Sequence, residues 1–206
     1  VSRGEKTLLE GLEALGISPA REQVDSFMTY LHELKRWNRA YSLTGLKTDE
    51  EIIVKHFLDS CLYLKALEPG VSRLADVGSG AGFPGIPIKI LRPEVEVYLI
   101  EPSRKKTAFL RHMIRTLSLR GITSLEKPLE EVRDIEVDAA LTRALFSVED
   151  FVRKASHIVR KNGLFVLSKG PRVRKELEGS TLGYELRVLP LPLSDIKRYF
   201  VIIRKE

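Results

Sequence analysis

The segment Leu74–Ile90, LADVGSGAGFPGIPIKI, sets four glycines between two apolar runs, with Asp76 two residues ahead of the first glycine. Glycine lets the backbone take positive φ and lets a ligand approach without a Cβ in the way, at a cost in conformational entropy. A tight turn alone needs one such residue; Gly78, Gly80, Gly82 and Gly85 together point to a nucleotide-like ligand. The stretch Gly80-Ala81-Gly82-Phe83-Pro84-Gly85 matches the dinucleotide fingerprint G-x-G-x-x-G letter for letter. In that fingerprint, however, the first glycine follows the strand directly. Here Gly78 holds that place, and the phasing argues against a dinucleotide. Glu101 ends the next apolar run, where an acidic side chain can accept hydrogen bonds from a ribose diol. The plainer alternative for Glu101 is a solvated carboxylate beside Arg104 and Lys105.

Such a loop has to be carried by a strand and followed by a helix. From Ser72 onward, short β-branched runs alternate with amphipathic stretches, the pattern of βα units and a mostly parallel sheet with helices on both faces. The strands fall at Arg73 to Val77, Val95 to Ile100, Ile122 to Leu125, Asp138 to Thr142, Gly163 to Ser168, Tyr184 to Pro190 and Arg198 to Arg204. The clearest helix is Arg104 to Leu119, with Phe109, Leu110, Met113, Ile114 and Leu117 on one face. Before Ser72 the apolar residues recur at helical spacing. Leu8, Leu9, Leu12 and Leu15 form one stripe, and Val24, Phe27, Leu31, Leu34 and Trp37 a second. Asn38 to Gly45 reads as a loop and Asp49 to Leu67 as a third helix. The expected organisation is a helical cap over residues 1–70 and an α/β domain over 71–206.

Composition narrows the classes of function. The chain has 206 residues, and its 34 Lys+Arg against 28 Asp+Glu give a net charge of +6, a lean towards polyanionic partners. A single cysteine, Cys61, excludes an internal disulfide framework and any chemistry needing two thiols. His32, His56, His112 and His157 show no metal-ligand spacing, and no metal is expected. No apolar window reaches the length of a membrane span, and the opening residues lack a secretory h-region. The expectation is a cytoplasmic protein.

Asp76-x-Gly78-x-Gly80-x-Gly82 resembles the first motif of class I S-adenosylmethionine (SAM)-dependent methyltransferases, a Rossmann-like fold. Further segments sharpen the likeness: RWNRAYSLTG at Arg36 to Gly45, HFLDS at His56 to Ser60, the Phe-Pro-Gly-Ile-Pro extension of the glycine loop, then LEEV, TRAL, LSKG and RYFVIIRK in order. Over about Leu31 to Lys205 the chain resembles the bacterial 16S ribosomal RNA guanine-N7 methyltransferases, historically called glucose-inhibited division protein B. The resemblance implies that Asp76, Gly78, Gly80, Gly82, Phe83 and Glu101 serve the cofactor SAM and that Leu129 and Glu130 flank its adenine. Arg143 would lie near both cofactor and reacting centre. Lys169 and Arg198 match two further basic positions tied to activity or RNA contact. The implied partner is 16S ribosomal RNA or the small ribosomal subunit, met by a monomer. One departure stands out: where the family often carries a basic residue, this chain has Pro128, with Lys127 just before it.

The residue inventory bears on the chemistry independently. Methylation of cytosine C5 generally needs a cysteine nucleophile in the catalytic domain, and Cys61 lies in the cap. Methylation of an exocyclic amine usually uses an Asn/Asp-Pro-Pro-aromatic loop after the fourth strand, where this chain has Thr142-Arg143-Ala144-Leu145-Phe146. Guanine N7 presents an in-plane lone pair and needs no general base, so alignment alone can drive transfer. Arg143 could grip guanine O6 or a phosphate as a planar fork, or else simply pair with Asp138 or Glu130. His56 and Asp59 lie one helical turn apart and could pair with each other. A SAM-dependent enzyme acting on small acceptors, and a SAM- or RNA-binding module without catalysis, are the competing readings.

Overall fold

The computed structural model describes residues 2–206. Seven strands form one sheet: β1 Arg73–Val77, β2 Glu96–Ile100, β3 Ile122–Leu125, β4 Val137–Arg143, β5 Val159–Lys169, β6 Glu185–Pro190 and β7 Lys197–Arg204. Their order is β3-β2-β1-β4-β5-β7-β6. Strands β1 to β5 pair in parallel, and β7 runs antiparallel to both β5 and β6. The strand order therefore reverses between β1 and β4, which opens a crevice at the carboxyl ends of these strands where open α/β sheets take their ligands. Because β7 is antiparallel, its first residues, Lys197 and Arg198, lie at that same edge.

The helical layer begins with α1 Arg3–Ala14 and α2 Arg21–Tyr41. Helix α2 runs into the stretch expected to be a loop and stops where Ser42 turns left-handed, φ 50°. The expected third helix is instead a broken run: α3 Asp49–Ile52, a π-helical segment Ile53–Leu58, α4 Asp59–Cys61 and α5 Tyr63–Ala66. Such wide turns re-aim side chains and recur at functional sites. Helix α6 Gly85–Leu91 follows the glycine loop, α7 Arg104–Thr116 follows β2, α8 Val148–Ala155 follows β4 and the short α9 Val173–Glu176 follows β5.

Two cores flank the sheet. On one face, Leu8, Leu12, Phe27 and Tyr30 of the helical layer join Phe57 and Tyr63, Ile86 and Ile88 of α6, and Leu141 and Phe200 of the sheet. Residues 1–70 thus bury their apolar stripe directly on the sheet. On the other face, Phe151 and Ala155 of α8, with Leu129 and Val132, cover Ala75, Val77, Leu167 and Val201.

Side chains alternate along a strand, so these cores sort the polar residues near the strand ends. Arg143 lies two residues after Leu141 and Arg198 two before Phe200, and both face the helical layer. Lys169 lies two residues after Leu167 and faces the α8 side.

Candidate active site

The loop between β1 and α6 is shaped from within. Asp76 is buried at the end of β1, and its Oδ2 accepts the Gly85 N–H at 2.8 Å, closing the turn. The other oxygen, Oδ1, is buried without a partner among the described residues. Burial, eased only in part by the Gly85 N–H and by Arg143, pushes the Asp76 carboxyl up to about 7. Gly78 has φ +73°, and a Cβ there would lie 2.3 Å from Leu145 Cδ2. The bare glycine is what allows the loop after β4 to close over the turn. Glu101 is no solvated carboxylate: its Oε2 accepts the Gly80 N–H and its Oε1 the Ser103 N–H, both at 2.9 Å. An ionised carboxylate retains further acceptor capacity on both oxygens.

Phe83 is the hub between loop and cap. Its buried ring stacks on Tyr30, with centroids 5.3 Å apart, and on His56, at 4.4 Å and 12° from parallel. The Tyr30 hydroxyl donates to the Ala81 carbonyl at 2.5 Å, and the Phe83 N–H donates to Ser79 O. The phenyl group therefore clasps the cap to the loop; its side chain and amide are already occupied within the protein.

Arg143 and Arg198 meet at Asp59. Arg198 donates from Nε to Asp59 Oδ1 at 2.7 Å and from Nη2 to Oδ2 at 3.1 Å, while Arg143 Nη1 donates to Oδ2 at 3.4 Å. The carboxylate is 1% exposed and the two arginine side chains 25% and 26%, so a buried anion presents two partly open cations. Arg143 also donates to the Lys55 carbonyl and to His56 Nδ1, at 3.3 and 3.2 Å, and its guanidinium lies 5.6 Å from the Phe83 ring centre. Burial and the neighbouring Arg143 lower the His56 imidazole to about 3, which keeps it neutral. With Nδ1 accepting from Arg143, Nε2 carries the proton and donates to Thr44 Oγ1 at 2.8 Å.

Two pairings considered from the sequence are absent, and the remaining site residues take the positions that follow. Arg143 pairs with neither Asp138 nor Glu130. Asp138 sits at the far end of β4, where it accepts from Ser72, Arg73 and Arg160, and Glu130 bonds Lys154 at 2.6 Å. His56 and Asp59 do not bond each other; both bond Arg143. Leu129 is buried beside Val77 and Ile100, while the Glu130 carboxylate turns outward to Lys154. The Lys169 ammonium, across the sheet from the arginine pair, donates to Phe146 O at 2.5 Å and to Glu176 at 3.1 Å. Sequence reasoning missed Tyr30 and the Asp59 junction. The HFLDS stretch marks His56 and Asp59 as polar neighbours one turn apart, but not the arginines they meet.

The open face at Gly80, where a Cβ would meet nothing nearer than the Gly78 carbonyl at 3.9 Å, fits a nucleoside cofactor, as do the spare acceptor capacity of Glu101 and the unpartnered Asp76 Oδ1. Asp76, Gly78, Gly80 and Glu101 are the residues that would hold it, and the chemistry it supplies is an activated methyl group. Among the described residues no cluster of His, Cys, Asp or Glu could hold a metal ion, and no helix is long and apolar enough to cross a membrane.

Strand order, the reversed seventh strand and a glycine turn at the first strand's end define a class I SAM-dependent methyltransferase. Solved structures share the fold. A SAM-dependent methyltransferase from Aquifex aeolicus aligns with a TM-score of 0.56 at 16% identity, covering 76% of this chain and 93% of its own. TYW2 of M. jannaschii in complex with AdoMet aligns with a TM-score of 0.53 at 14% identity, over 72% of this chain and 74% of its own. The family is narrower: residues 23–189 match the GidB family model, rRNA small subunit methyltransferase G, and the chain belongs to that family. Proteins named ribosomal RNA small subunit methyltransferase G are similar over nearly their whole length. The one from Acetivibrio thermocellus is 36% identical, covering 97% of this chain and 88% of that one. The one from Neisseria meningitidis serogroup A is 34% identical, covering 98% and 99%.

Proposed function

We propose that this chain transfers the methyl group of SAM to N7 of a guanine in 16S ribosomal RNA, acting in the cytoplasm as a monomer. The observation that carries this reading is Arg143, held by Asp59 and His56 at the carboxyl end of β4 and directly over Phe83 of the glycine loop. The N7 lone pair attacks without prior deprotonation, so the protein's contribution is alignment, a proximity effect of about 7–11 kcal/mol at its ideal limit. The partly open guanidiniums of Arg143 and Arg198 supply planar donors for guanine O6 or a flanking phosphate. His56 and Asp59 fix those donors before RNA arrives, so little reorganisation accompanies binding. Cys61 is fully buried, and its burial pushes the thiol far above the range in which it could act as a nucleophile. That supports attack by the base itself over a covalent enzyme intermediate.

The test is incubation with SAM and unmodified small ribosomal subunits or their RNA, followed by nucleoside mass spectrometry and mapping. One new N7-methylguanosine is the expected result. SAM binding without methylation of either RNA form would redirect the assignment to a small-molecule acceptor or a non-catalytic role.

A further inference from the structure

The basic side chains at the two edges of the sheet differ in how they are grouped. At the edge where the parallel strands begin, Arg73 pairs with Glu96, Arg92 with Glu94, Arg160 with Asp138 and Arg204 with Glu68, and the exposed Lys65, Arg120 and Lys161, which form no salt bridge among the described residues, are dispersed over α5 and the starts of β3 and β5. At the opposite edge, around the site, Arg172, Arg174, Lys175 and Lys197 form no salt bridge among the described residues, and all four are exposed. Three of them fall within residues 172–175, where Arg172 caps α9, the turn after β5.

That turn is firmly mounted. Val173 and Leu177 are buried beneath it in the core that α8 covers. Glu176 accepts from Lys169 of β5 at 3.1 Å and from the Val148 N–H at the start of α8, tying α9 to two neighbours. Its own acid is thereby neutralised by Lys169, and Glu178 is the acid that remains. Arg174 lies 5.5 Å from the ring centre of Tyr199 on β7. Tyr199 and Lys197 share a face of β7, the one opposite Arg198. A fixed set of unpaired cations thus stands across the ends of β5 and β7 from the Asp59-held arginines.

We propose that this α9/β7 platform binds the phosphate backbone flanking the target base, so that the RNA strand passes over the carboxyl end of β5 with the base on the Arg143 side and its neighbouring phosphates on the Arg174 side. The inference rests on the proposed action on ribosomal RNA and specifies how that substrate is seated. Unpaired, preordered cations suit a polyanion, because each phosphate they neutralise releases condensed counterions. It also gives Lys169 a role at its observed position: holding the platform in place.

The experiment compares the full chain with the triple variant Arg172→Gln/Arg174→Gln/Lys175→Gln and with a control, Lys65→Gln/Arg120→Gln/Lys161→Gln, which removes equal charge at the far edge. Binding of unmodified small-subunit RNA is measured by anisotropy across a salt series, alongside SAM binding and saturating methyl transfer to small subunits. The platform variant is expected to bind RNA roughly tenfold or more weakly, with a log–log salt slope shallower by about 2–3. Its SAM affinity and its rate at saturating substrate should match wild type, and the control should bind like wild type. Equal weakening in both variants would mean that net charge alone is responsible, and an unchanged slope in the platform variant would remove α9 from the interface; either overturns the proposal. If wild type methylates no ribosomal RNA, the functional reading itself fails, an outcome separate from both.

Discussion

Arg198 Nε donates to Asp59 Oδ1 at 2.7 Å, joining the last strand to the helical cap across 139 residues of sequence. Arg143 meets the same carboxylate from β4. Replacing Asp59 with Asn leaves two guanidiniums without their shared anion. We expect kcat/KM for methyl transfer to fall about 100-fold, the scale of a misplacement near 1 Å, with SAM affinity largely kept. Wild-type turnover in a folded Asp59→Asn protein would show that the junction does not position the arginines.

Arg143→Lys keeps the charge but loses the fork that reaches Asp59, Lys55 and His56 together. We expect methyl transfer to drop about 10- to 100-fold, in line with lost prealigned donors. Calorimetry should show SAM binding close to wild type. Equal activity would make the positive charge sufficient.

Gly82 has φ +101°, and a Cβ there would lie 2.6 Å from both Ile86 Cδ1 and the Tyr30 hydroxyl. Gly82→Ala should destabilise the protein by about 1–3 kcal/mol through backbone strain and displacement of Tyr30. Denaturant unfolding gives the stability, and Tyr30→Phe serves as the comparison that removes only the hydroxyl.

Asp138 joins the start of β1 to β4. Burial works against its charge, but the Ser72 and Arg73 N–H groups and Arg160 outweigh it and hold the carboxyl at about 2. A depressed carboxyl contributes stability that is full above its unfolded value near 4 and lost as pH falls through 2. Asp138→Asn should therefore cost about 2 kcal/mol at pH 7 and little near pH 2. A cost independent of pH would assign the effect to packing.

Asp76 carries the opposite sign. With its folded carboxyl near 7, the folded protein holds a proton that the unfolded chain has released, so this group's contribution weakens as pH rises from about 4 to 7. Asp76→Asn should flatten that part of the stability curve and raise stability at pH 8 by about 1–3 kcal/mol. The same variant should bind SAM more weakly, because with the Asn carbonyl kept on the Gly85 N–H the place of Oδ1 is taken by an amide NH2, which cannot accept. A variant that is neither stabler nor weaker in binding would show Oδ1 to be inert.

The sheet was legible because its strands are short β-branched runs bounded by turn residues; Arg73–Val77 and Ile122–Leu125 match the expected limits to the residue. The glycine loop was legible for the same local reason. The Asp59 junction was not, since spacing within one helix cannot show that arginines 84 and 139 residues away will converge on it. Nor was the π-helical segment: IVKHFL continues the helical period of its neighbours and carries no local mark of a wider turn. Lys169 illustrates a third limit. Its place near the end of β5 was readable, but which face it took depended on the register with β7, a one-residue matter that reverses every side chain.

The reversed seventh strand has a consequence in the order of synthesis. Translation delivers Asp59 early, the glycine loop next and Arg198 only after the six other strands have been made. The Asp59 carboxylate is therefore made 139 residues before the guanidinium that holds it on both oxygens. Because β7 lies between β5 and β6, the carboxylate gains its bidentate partner only when the last gap in the sheet is filled, and completing the fold and completing the arginine pair are one event.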